Sequence, residues 1–404
     1  MRTASDYRSP AVPYHTPERD SLSTPNADPV FRNTGYITKQ IGAAFAACFA
    51  GAGTLLADGT WDVNVADFPR QSGETGDSAR IMRAVESAGE GGVVWFPRGE
   101  YAIDAMLYVT NFTSLLLHPF AHLKAVKPLP FLLTYHSHEE VRGIVKPGTL
   151  NLFIRGGDFD GAGLASCVHV KWRRHFTLSN ATFRNGLKVG LQFGDEVQPS
   201  GCEMVVNNVY CYCDRPGMAG NVGFLTYIGD SHFTDVIVVD YTIGIRDLVW
   251  ANRYTRCHVW GGLVKKPGTN ESEYLPNSIA FDLSGRGSDV LLEDCYADTA
   301  MIGFNVRKNA RIFNCAYFNN WYFKMDNPTV FRHEKGSLLV TGGRFAKSSP
   351  KSTLYSRGKD AEGLIWHDNK LLNFAPDELK GLNDELKKRG ESDSAAKGKE
   401  NLAS

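Results

Sequence analysis

The sequence lacks several features that would assign it to a common functional class. It has no apolar run of the ~18 residues that a membrane-spanning helix needs. It has no net charge, because 44 Lys and Arg are balanced by 44 Asp and Glu. A balanced chain has no overall field that would concentrate nucleic acid or an anionic membrane. P-loop, Rossmann and HExxH motifs are also missing. We therefore expect neither a nucleic-acid partner nor a membrane span.

Metal-binding patterns are missing as well. The eight cysteines include Cys202 and the pair Cys211 and Cys213, but no second CxxC and no paired histidines accompany them. We predict no metal site among them. A secretory signal is not convincing either, because the nearest apolar segment, residues 41–57, follows some 40 mainly polar residues. A packed helix is expected there, in a chain made in the cytoplasm.

What the sequence does contain is a repeat. Between residues 155 and 346 a small or apolar residue recurs with a second apolar residue two places later. The pairs are Gly157/Phe159, Ala181/Phe183, Val209/Cys211, Val236/Val238, Cys257/Val259, Cys295/Ala297, Cys315/Tyr317 and Gly343/Phe345. Their first members are separated by 24, 28, 27, 21, 38, 20 and 28 residues. This spacing, with alternation inside each unit, predicts a β-solenoid whose coils stack ~4.8 Å apart.

The solenoid is predicted to fill most of the chain. Residues 1–60 are expected to form an N-terminal arm or adaptor with the Ala-rich helix, residues 61–374 the solenoid, and residues 375–404 a polar C-terminal tail containing a short helix. Helical spacing in residues 77–88 predicts a helix ahead of the first strand. The 38-residue step and residues 131–148 predict loops, which usually build the cleft of a rigid scaffold.

Residues 65–103 resemble the opening of the pectate-lyase-type right-handed parallel β-helix superfamily. The segment GGVVWFPRGEY, residues 91–101, is similar to the strand that begins the first coil in that family. The resemblance implies an all-β, single-stranded, right-handed parallel β-helix with a short N-terminal capping helix. It also implies a fold that acts on polysaccharides, without fixing the reaction. Residues 156–163 resemble a polygalacturonase segment, but the catalytic motifs of those enzymes are absent. Residues 229–261 are similar to coils of phage tailspikes.

Candidate catalytic residues come from the predicted outward columns. Residues beside inward positions point outward in a strand, which brings together six side chains of catalytic type: Asp235, Arg256, His258, Asp294, Tyr296 and Asp298. Asp235 and Asp294 would lie two coils apart, roughly 9–10 Å, a separation that suits an inverting glycosidase. Alternatively, Arg256 would neutralise a uronate while His258 or Tyr296 removes a proton, as in a lyase. A purely structural Asp–Arg–Asp ladder is the third explanation.

Candidate substrate-binding residues are the aromatic and basic side chains of the same coils. Sugar rings stack on exposed aromatic side chains, and long loops add cations beside them. The residues are Tyr210, Trp260, Lys265, Lys266 and Trp321. No cofactor is expected, although the family resemblance leaves Ca²⁺ open because related lyases bind it through carboxylate clusters.

Three functions fit these observations. The first is a tailspike-like protein of a phage or prophage that binds and cleaves a surface polysaccharide, with the N-terminal arm attaching it to the virion tail. The second is a bacterial polysaccharide lyase or glycoside hydrolase, for which an export signal would be expected. The third is a non-enzymatic virion or glycan-binding β-helix. A homotrimer is expected, because long β-helices with apolar outer faces associate side by side.

Overall fold

The computed structural model of the chain describes residues 61–110, 112–136, 152–171, 175–196, 202–214, 220–261, 263–265, 272–275, 277–285, 287, 289–319, 325–347 and 349–388. All of them belong to one compact unit, Trp61–Ser404. The expected arm and Ala-rich helix of residues 1–60, together with Lys266 and Trp321, lie outside the described residues.

The described residues form a single-stranded, right-handed parallel β-helix, which confirms the predicted fold class. Each coil contributes a strand to three parallel faces, here called A, B and C in chain order. Face A contains Val63–Asn64, Val93–Phe96, Ser114–Leu117, Phe153–Arg155, the first halves of Thr177–Arg184, Val205–Tyr212 and His232–Val239, then Arg253–Thr255, Val290–Glu293, Ala310–Phe313 and the second halves of Thr329–Thr341 and Thr353–His367.

Faces B and C complete each coil. Face B contains Gly99–Ile103, Ala121–Ala125, Asp158–Asp160, the second halves of Thr177–Arg184, Val205–Tyr212 and His232–Val239, then His258–Trp260, Tyr296–Asp298, Ala316–Phe318, Arg344–Ala346 and Lys370–Leu372. Face C contains Leu107–Val109, Phe131–Tyr135, Ser166–Val170, Val189–Phe193, Val222–Thr226, Ile243–Asp247, Ile279–Leu283, Ile302–Val306 and the first halves of Thr329–Thr341 and Thr353–His367.

The inward column of face B matches the repeat in the sequence. The second members of the predicted pairs face one another in register from coil to coil: Phe159, Phe183, Cys211, Val238, Val259, Ala297, Tyr317 and Phe345. Each is 3% exposed or less. Small and large side chains share the column, so neighbouring coils fill each other's gaps. The alternating pattern therefore predicted both the strand and the side that it buries.

In each coil from Gly156 to Asp368, a sharp corner joins face A to face B. The corner residues are Gly156, Asn180, Asn208, Asp235, Arg256, Asp294, Asn314, Gly342 and Asp368, and all have φ between 51° and 82°. We call this set the corner column. Glycine, Asn and Asp tolerate this left-handed conformation best, which explains eight of the nine residues. Asn208 also donates a hydrogen bond through Nδ2 to Oδ1 of Asn180, at 2.8 Å.

A helix closes each end of the described β-helix. The first, Ser78–Ala88, buries Ile81, Ala84 and Val85 against the first coils, as the sequence predicted. Asp77 anchors its start by accepting hydrogen bonds from Arg70, Arg80 and the backbone N–H of Ala102.

The C-terminal segment differs from the polar tail that was expected. A helix, Lys380–Lys388, is present, but Leu379, Leu382 and Leu386 are buried against the last coil. Glu385 pairs with Arg357 at 2.6 Å, and the buried Glu378 pairs with Lys347 at 2.5 Å. The leucine spacing within a charged stretch supplies one apolar stripe, which is sufficient for a surface helix. The β-helix unit therefore extends to residue 388.

Candidate functional site

The outer side of face B carries two columns of side chains. The first runs in register through Glu100, His122, Asp158, Thr182, Tyr210, Ile237, His258, Tyr296, Ala316, Arg344 and Lys370. The second runs two residues later, through Lys124, Asp160, Arg184, Tyr212, Val239, Trp260, Asp298 and Phe318. Asp158 and Asp160 belong to the first and the second column respectively, and Gly156 forms the corner that precedes them.

Aromatic side chains dominate these columns over five coils. We call Tyr210, Tyr212, His258, Trp260, Tyr296 and Phe318 the aromatic strip. His258 stacks on Tyr296 with ring centroids 3.8 Å apart, and Tyr296 stacks on Phe318 at 5.5 Å. Tyr210 and Phe318 are each 38% exposed. Four coil steps span about 19 Å at the strand spacing, so the strip is long enough to contact several units of an extended polymer.

His258 is the one imidazole in the aromatic strip. Burial lowers its pKa to about 4, so it is neutral near pH 7. Its Nε2 atom is buried and has no hydrogen-bond partner among the described residues. Each unsatisfied buried polar atom costs stability, commonly ~1–3 kcal/mol. A ligand hydroxyl would remove that cost only if neighbouring side chains moved aside, because the nitrogen is buried.

Asp298 lies in the neighbouring column, one coil away from His258 and paired in register with Trp260. Burial raises its pKa, partly offset by a hydrogen bond from Oγ1 of Thr299 to Oδ1 at 2.6 Å. Burial also raises the pKa of Tyr296, and the Asp298 carboxylate adds to that shift. His258 and Asp298 thus occupy diagonal positions on neighbouring coils, and burial lowers the pKa of the first and raises that of the second.

Asp235, Arg256 and Asp294 occupy the corner column rather than a flat strand face. Arg256 donates through Nε and Nη2 to both carboxylate oxygens of Asp235, each at 2.8 Å. This pair is exposed, with side-chain exposures of 55% and 39%. Asp235, followed by the more distant Asp294, raises the pKa of Arg256. The ion pair between Asp235 and Arg256 is the part of the predicted ladder that is present. The corner conformation is one that Asp adopts readily, which accounts for the aspartates at positions 235 and 294.

The predicted loop cations are only partly described. Lys265 lies in a strand, Leu263–Lys265, which pairs antiparallel with Ser272–Tyr274. This hairpin interrupts the chain between Trp260 and Ile279, where the long step predicted a loop. Lys266 and Trp321 lie outside the described residues, so their predicted contact with substrate stays a prediction.

Two polar ladders were missed by the sequence analysis. On face C, Arg246 donates to Asp282 at 2.7 Å, Asn305 donates to Asp282, and Arg332 donates to Asn305. On face B, His122 and Arg184 both bind the carboxylate of Asp158. Neither ladder shows a local motif, because its members come from successive coils. Only the register between coils could have revealed these ladders, and the sequence pattern does not show that register for the strands concerned.

Metal and membrane features are absent from the described residues. No three or more His, Cys, Asp or Glu side chains are grouped there in a way that could hold a metal ion. Within the same part of the chain no helix is both long and apolar enough to span a bilayer.

Comparison with known proteins identifies the fold. No family model matches the sequence, and neither does any curated protein. Among solved structures, ORF18 of Geobacillus virus E2 is similar with a TM-score of 0.53 and 15% identity, over 81% of this chain and 63% of that protein. A tailspike protein mutant of E. coli bacteriophage HK620, in complex with pentasaccharide, gives a TM-score of 0.52 and 12% identity, over 78% and 63% of the two chains.

A third similar structure is the endo-xylogalacturonan hydrolase of Aspergillus tubingensis, with a TM-score of 0.49 and 12% identity over 78% of this chain and 97% of that enzyme. The chain spans about 63% of the length of the two virus proteins. At these identities the likeness shows the fold alone, a pectin-lyase-like right-handed parallel β-helix, and the resemblance seen in the sequence is confirmed.

Proposed function

We propose that this chain is a tailspike-like β-helix protein that binds a surface polysaccharide along the aromatic strip and cleaves it there. The observation that carries the proposal is the set of stacked, partly exposed rings: His258, Tyr296 and Phe318 stack across three consecutive coils. Tyr210 and Tyr212 stack on each other two coils before His258. Flat rings present apolar surface to the apolar faces of sugars, and polar edges beside them bind hydroxyl groups. The fold shared with a tailspike that was solved with a pentasaccharide supports a glycan as the ligand.

The geometry favours His258 and Asp298 as the reacting pair. In the proposed reaction, movement of the aromatic strip exposes Nε2 of His258 and the imidazole accepts a proton there, while Asp298 in its protonated form donates one to the leaving oxygen. Tyr296 holds the imidazole in place by stacking on it. Asp235, Arg256 and Asp294 remain candidates at the rim of the strip, where Arg256 is already engaged by Asp235. A proton acceptor of this kind suits elimination better than hydrolysis by a carboxylate pair.

A non-enzymatic glycan-binding protein is the second candidate. It is favoured by one specific observation, namely that the ladder cation Arg256 is neutralised within the protein rather than held ready for a substrate carboxylate. In that case the aromatic strip binds glycan, and no bond is broken.

The test combines cleavage with binding. Purified protein is incubated with a panel of acidic and neutral bacterial polysaccharides, while new double bonds are followed by ultraviolet absorbance and new chain ends by a reducing-sugar assay. Both signals rising means elimination, and reducing ends alone mean hydrolysis. Binding without either signal supports the glycan-binding alternative, and no binding to any polysaccharide contradicts the proposal.

Two variants locate the binding surface. Trp260→Ala should weaken binding of the responsive polysaccharide more than tenfold, equivalent to about 1.4 kcal/mol, because it removes a ring from the aromatic strip. Trp250→Ala is the matched control, since Trp250 is 42% exposed but does not belong to face B. Equal losses in both variants would place the glycan elsewhere.

We also propose that the protein acts as a homotrimer on a virion tail, attached through residues 1–60. Exposed apolar side chains of face A such as Val205 and Ile365 leave surface for side-by-side contacts. Light scattering coupled to size-exclusion chromatography measures the mass directly, and a monomer at working concentration would contradict the trimer.

A further inference from the structure

A second set of chemically active side chains lies on face B, in the first coils and away from the aromatic strip. Phe120, His122 and Lys124 follow one another at every second position along the strand Ala121–Ala125 and its first flank. Alternation places His122 and Lys124 on the outer side, and Phe120, in the turn before the strand, has its ring centroid 6.4 Å from that of His122. Phe120 is 56% exposed, Lys124 is exposed, and 29% of the His122 side chain is accessible. A ring, an imidazole and an ammonium group therefore form one row open to solvent.

The imidazole of His122 is held by a buried carboxylate. Its Nδ1 atom donates to Oδ2 of Asp158 at 2.7 Å, because an ionised carboxylate can only accept. In the neutral ring this bond keeps the proton on Nδ1 and leaves the lone pair on Nε2. The nearest carboxylate oxygen to Nε2 is Oε1 of Glu100, at 4.0 Å, which is beyond hydrogen-bond distance. Nε2 is thus oriented as a proton acceptor toward the surface.

Asp158 is in turn fixed by Arg184. The guanidinium donates through Nε to Oδ1 at 2.8 Å and through Nη2 to Oδ2 at 2.5 Å. The Asp158 side chain is only 10% exposed, and its carboxylate accepts three hydrogen bonds. A carboxylate held in this way orients a histidine, as in acyl-transfer enzymes, and has no freedom to attack a substrate itself.

We infer that His122 activates water for hydrolysis of acyl esters carried by sugars, with Asp158 as its positioning residue and Lys124 beside the developing oxyanion. Phe120 provides the ring on which the sugar lies. The inference rests on the proposed function for the nature of the ligand, since a glycan bound along face B would reach this row. It adds a second reaction, removal of acyl groups, to the cleavage or binding assigned to the aromatic strip.

The side chains around His122 favour ester hydrolysis over attack on the glycosidic bond. A glycosidase needs two available carboxyl groups flanking the bond, and here Asp158 is buried and fully bonded. Elimination needs a cation on the uronate carboxylate. Arg184 is taken by Asp158, and Arg98 lies over the Phe120 ring at 5.4 Å. Asp158 orients the imidazole, and the exposed Lys124 lies two residues further along the same strand. The acetate-release test decides whether that ammonium group faces an oxyanion, as in acyl transfer, or a uronate carboxylate, as in elimination.

The reaction balances without any further reactant. A water proton passes to Nε2 of His122 while the water oxygen bonds to the acyl carbon, and the carbonyl electrons move onto its oxygen, facing the Lys124 ammonium. The bond between the acyl carbon and the sugar oxygen then breaks. The sugar oxygen takes the proton back from Nε2, so the products are a carboxylic acid and a sugar hydroxyl.

The test uses glucose pentaacetate, a small acylated sugar, with acetate release followed in a pH-stat on the full chain. His122→Gln should lower kcat/KM by about 10²–10⁴-fold, the usual contribution of a positioned general base. His232→Gln is the matched control, because His232 is an exposed histidine on face A. Asp158→Asn should lower kcat with KM unchanged, since it misorients the imidazole without touching the sugar.

The outcomes separate this inference from the proposed function. Loss of acetate release in His122→Gln, with unchanged acetate release in His232→Gln, supports the inference even if no polysaccharide is ever found. Equal rates for His122→Gln and the wild-type chain, or no release above the buffer rate, would overturn it. Loss of double-bond formation on a polysaccharide in His122→Gln, without any ester hydrolysis, would also overturn it and assign His122 to elimination. Circular dichroism checks that each variant is folded.

Discussion

The corner column and the outer columns of face B carry similar residue types for different reasons. Corner residues must adopt φ between 51° and 82°, so Asn, Asp and Gly recur there whatever the protein does. Strand residues of face B are free of that requirement, and their aromatic and ionisable side chains are not explained by backbone geometry. A carboxylate is therefore informative about function on face B and uninformative at the corner.

The largest loss of stability should distinguish the buried side chains of face B from the exposed ones. Phe183→Ala should lower the free energy of unfolding by about 3–5 kcal/mol, because it leaves a cavity in a fully buried column. Tyr210→Ala, on the neighbouring coil but 38% exposed, should cost well under half as much. Urea unfolding followed by circular dichroism measures both. Similar losses would show that the outer column is buried in the assembled protein.

The conformational requirement of the corner column is tested by substitutions at Asp294 that differ in how well they tolerate positive φ. Asp294→Val should lower stability by about 1–2 kcal/mol, since a β-branched residue is poorly tolerated at positive φ. Asp294→Asn should be close to neutral because Asn accepts this conformation. Thermal unfolding of the two variants gives the difference. If Asn also abolishes polysaccharide cleavage, the Asp294 carboxylate has a chemical role in addition to its place in the turn.

A pH titration tests the burial of His258 on face B. Its pKa is about 4 in the folded protein and about 6.5 in an unfolded chain. Between these values the unfolded state binds a proton that the folded state does not, so stability is lost as pH falls from 6.5 toward 4. His258→Gln should remove part of that loss. His169, whose pKa burial also lowers to about 4, keeps its own contribution in the variant and serves as an internal reference. An unchanged pH dependence in the variant would mean that His258 is accessible to water.

The smallest change in stability is expected for Arg256. It is the one residue of the corner column that is not Asn, Asp or Gly. Arg256→Asn should leave stability within about 1 kcal/mol, because relief of backbone strain offsets loss of an exposed ion pair. Chemical denaturation checks the stability, and the polysaccharide assay checks the function. A more than tenfold loss of cleavage in a stable variant would give Arg256 a direct role with substrate.

The sequence was sufficient for the fold because the fold is repetitive. Alternating pairs such as Val236/Val238 and Cys257/Val259 identified inward positions, and the inward register then fixed which residues share a column. The candidate site was predicted only in part. The strand pattern predicts directly the outward positions of His258, Tyr296 and Asp298. It does not predict the ladder of His122, Asp158 and Arg184, because the spacing of those coils in the sequence is irregular.

Asp235 and Asp294 show why the remainder could not be predicted. The alternation of a strand, with a period of two residues, predicts that their side chains point outward. Only the backbone dihedral angles show that both residues form the corner between two faces. The same local pattern thus describes a strand residue and a left-handed turn residue. Burial of the C-terminal helix was likewise hidden, because three leucines in a charged stretch fit either a solvated or a packed helix until a partner surface is known.

The C-terminal helix and the residues just before it pack on the strand Thr353–His367 of the last coil. The backbone oxygen of Glu378 accepts a hydrogen bond from the N–H of Leu354, and Gly381 approaches the Tyr355 backbone so closely that a Cβ there would meet the carbonyl oxygen at 2.4 Å. These contacts cover the edge of the face C strand in the last coil, which would otherwise be open to a further strand. We therefore expect the C-terminal segment to oppose end-to-end joining of molecules into fibres.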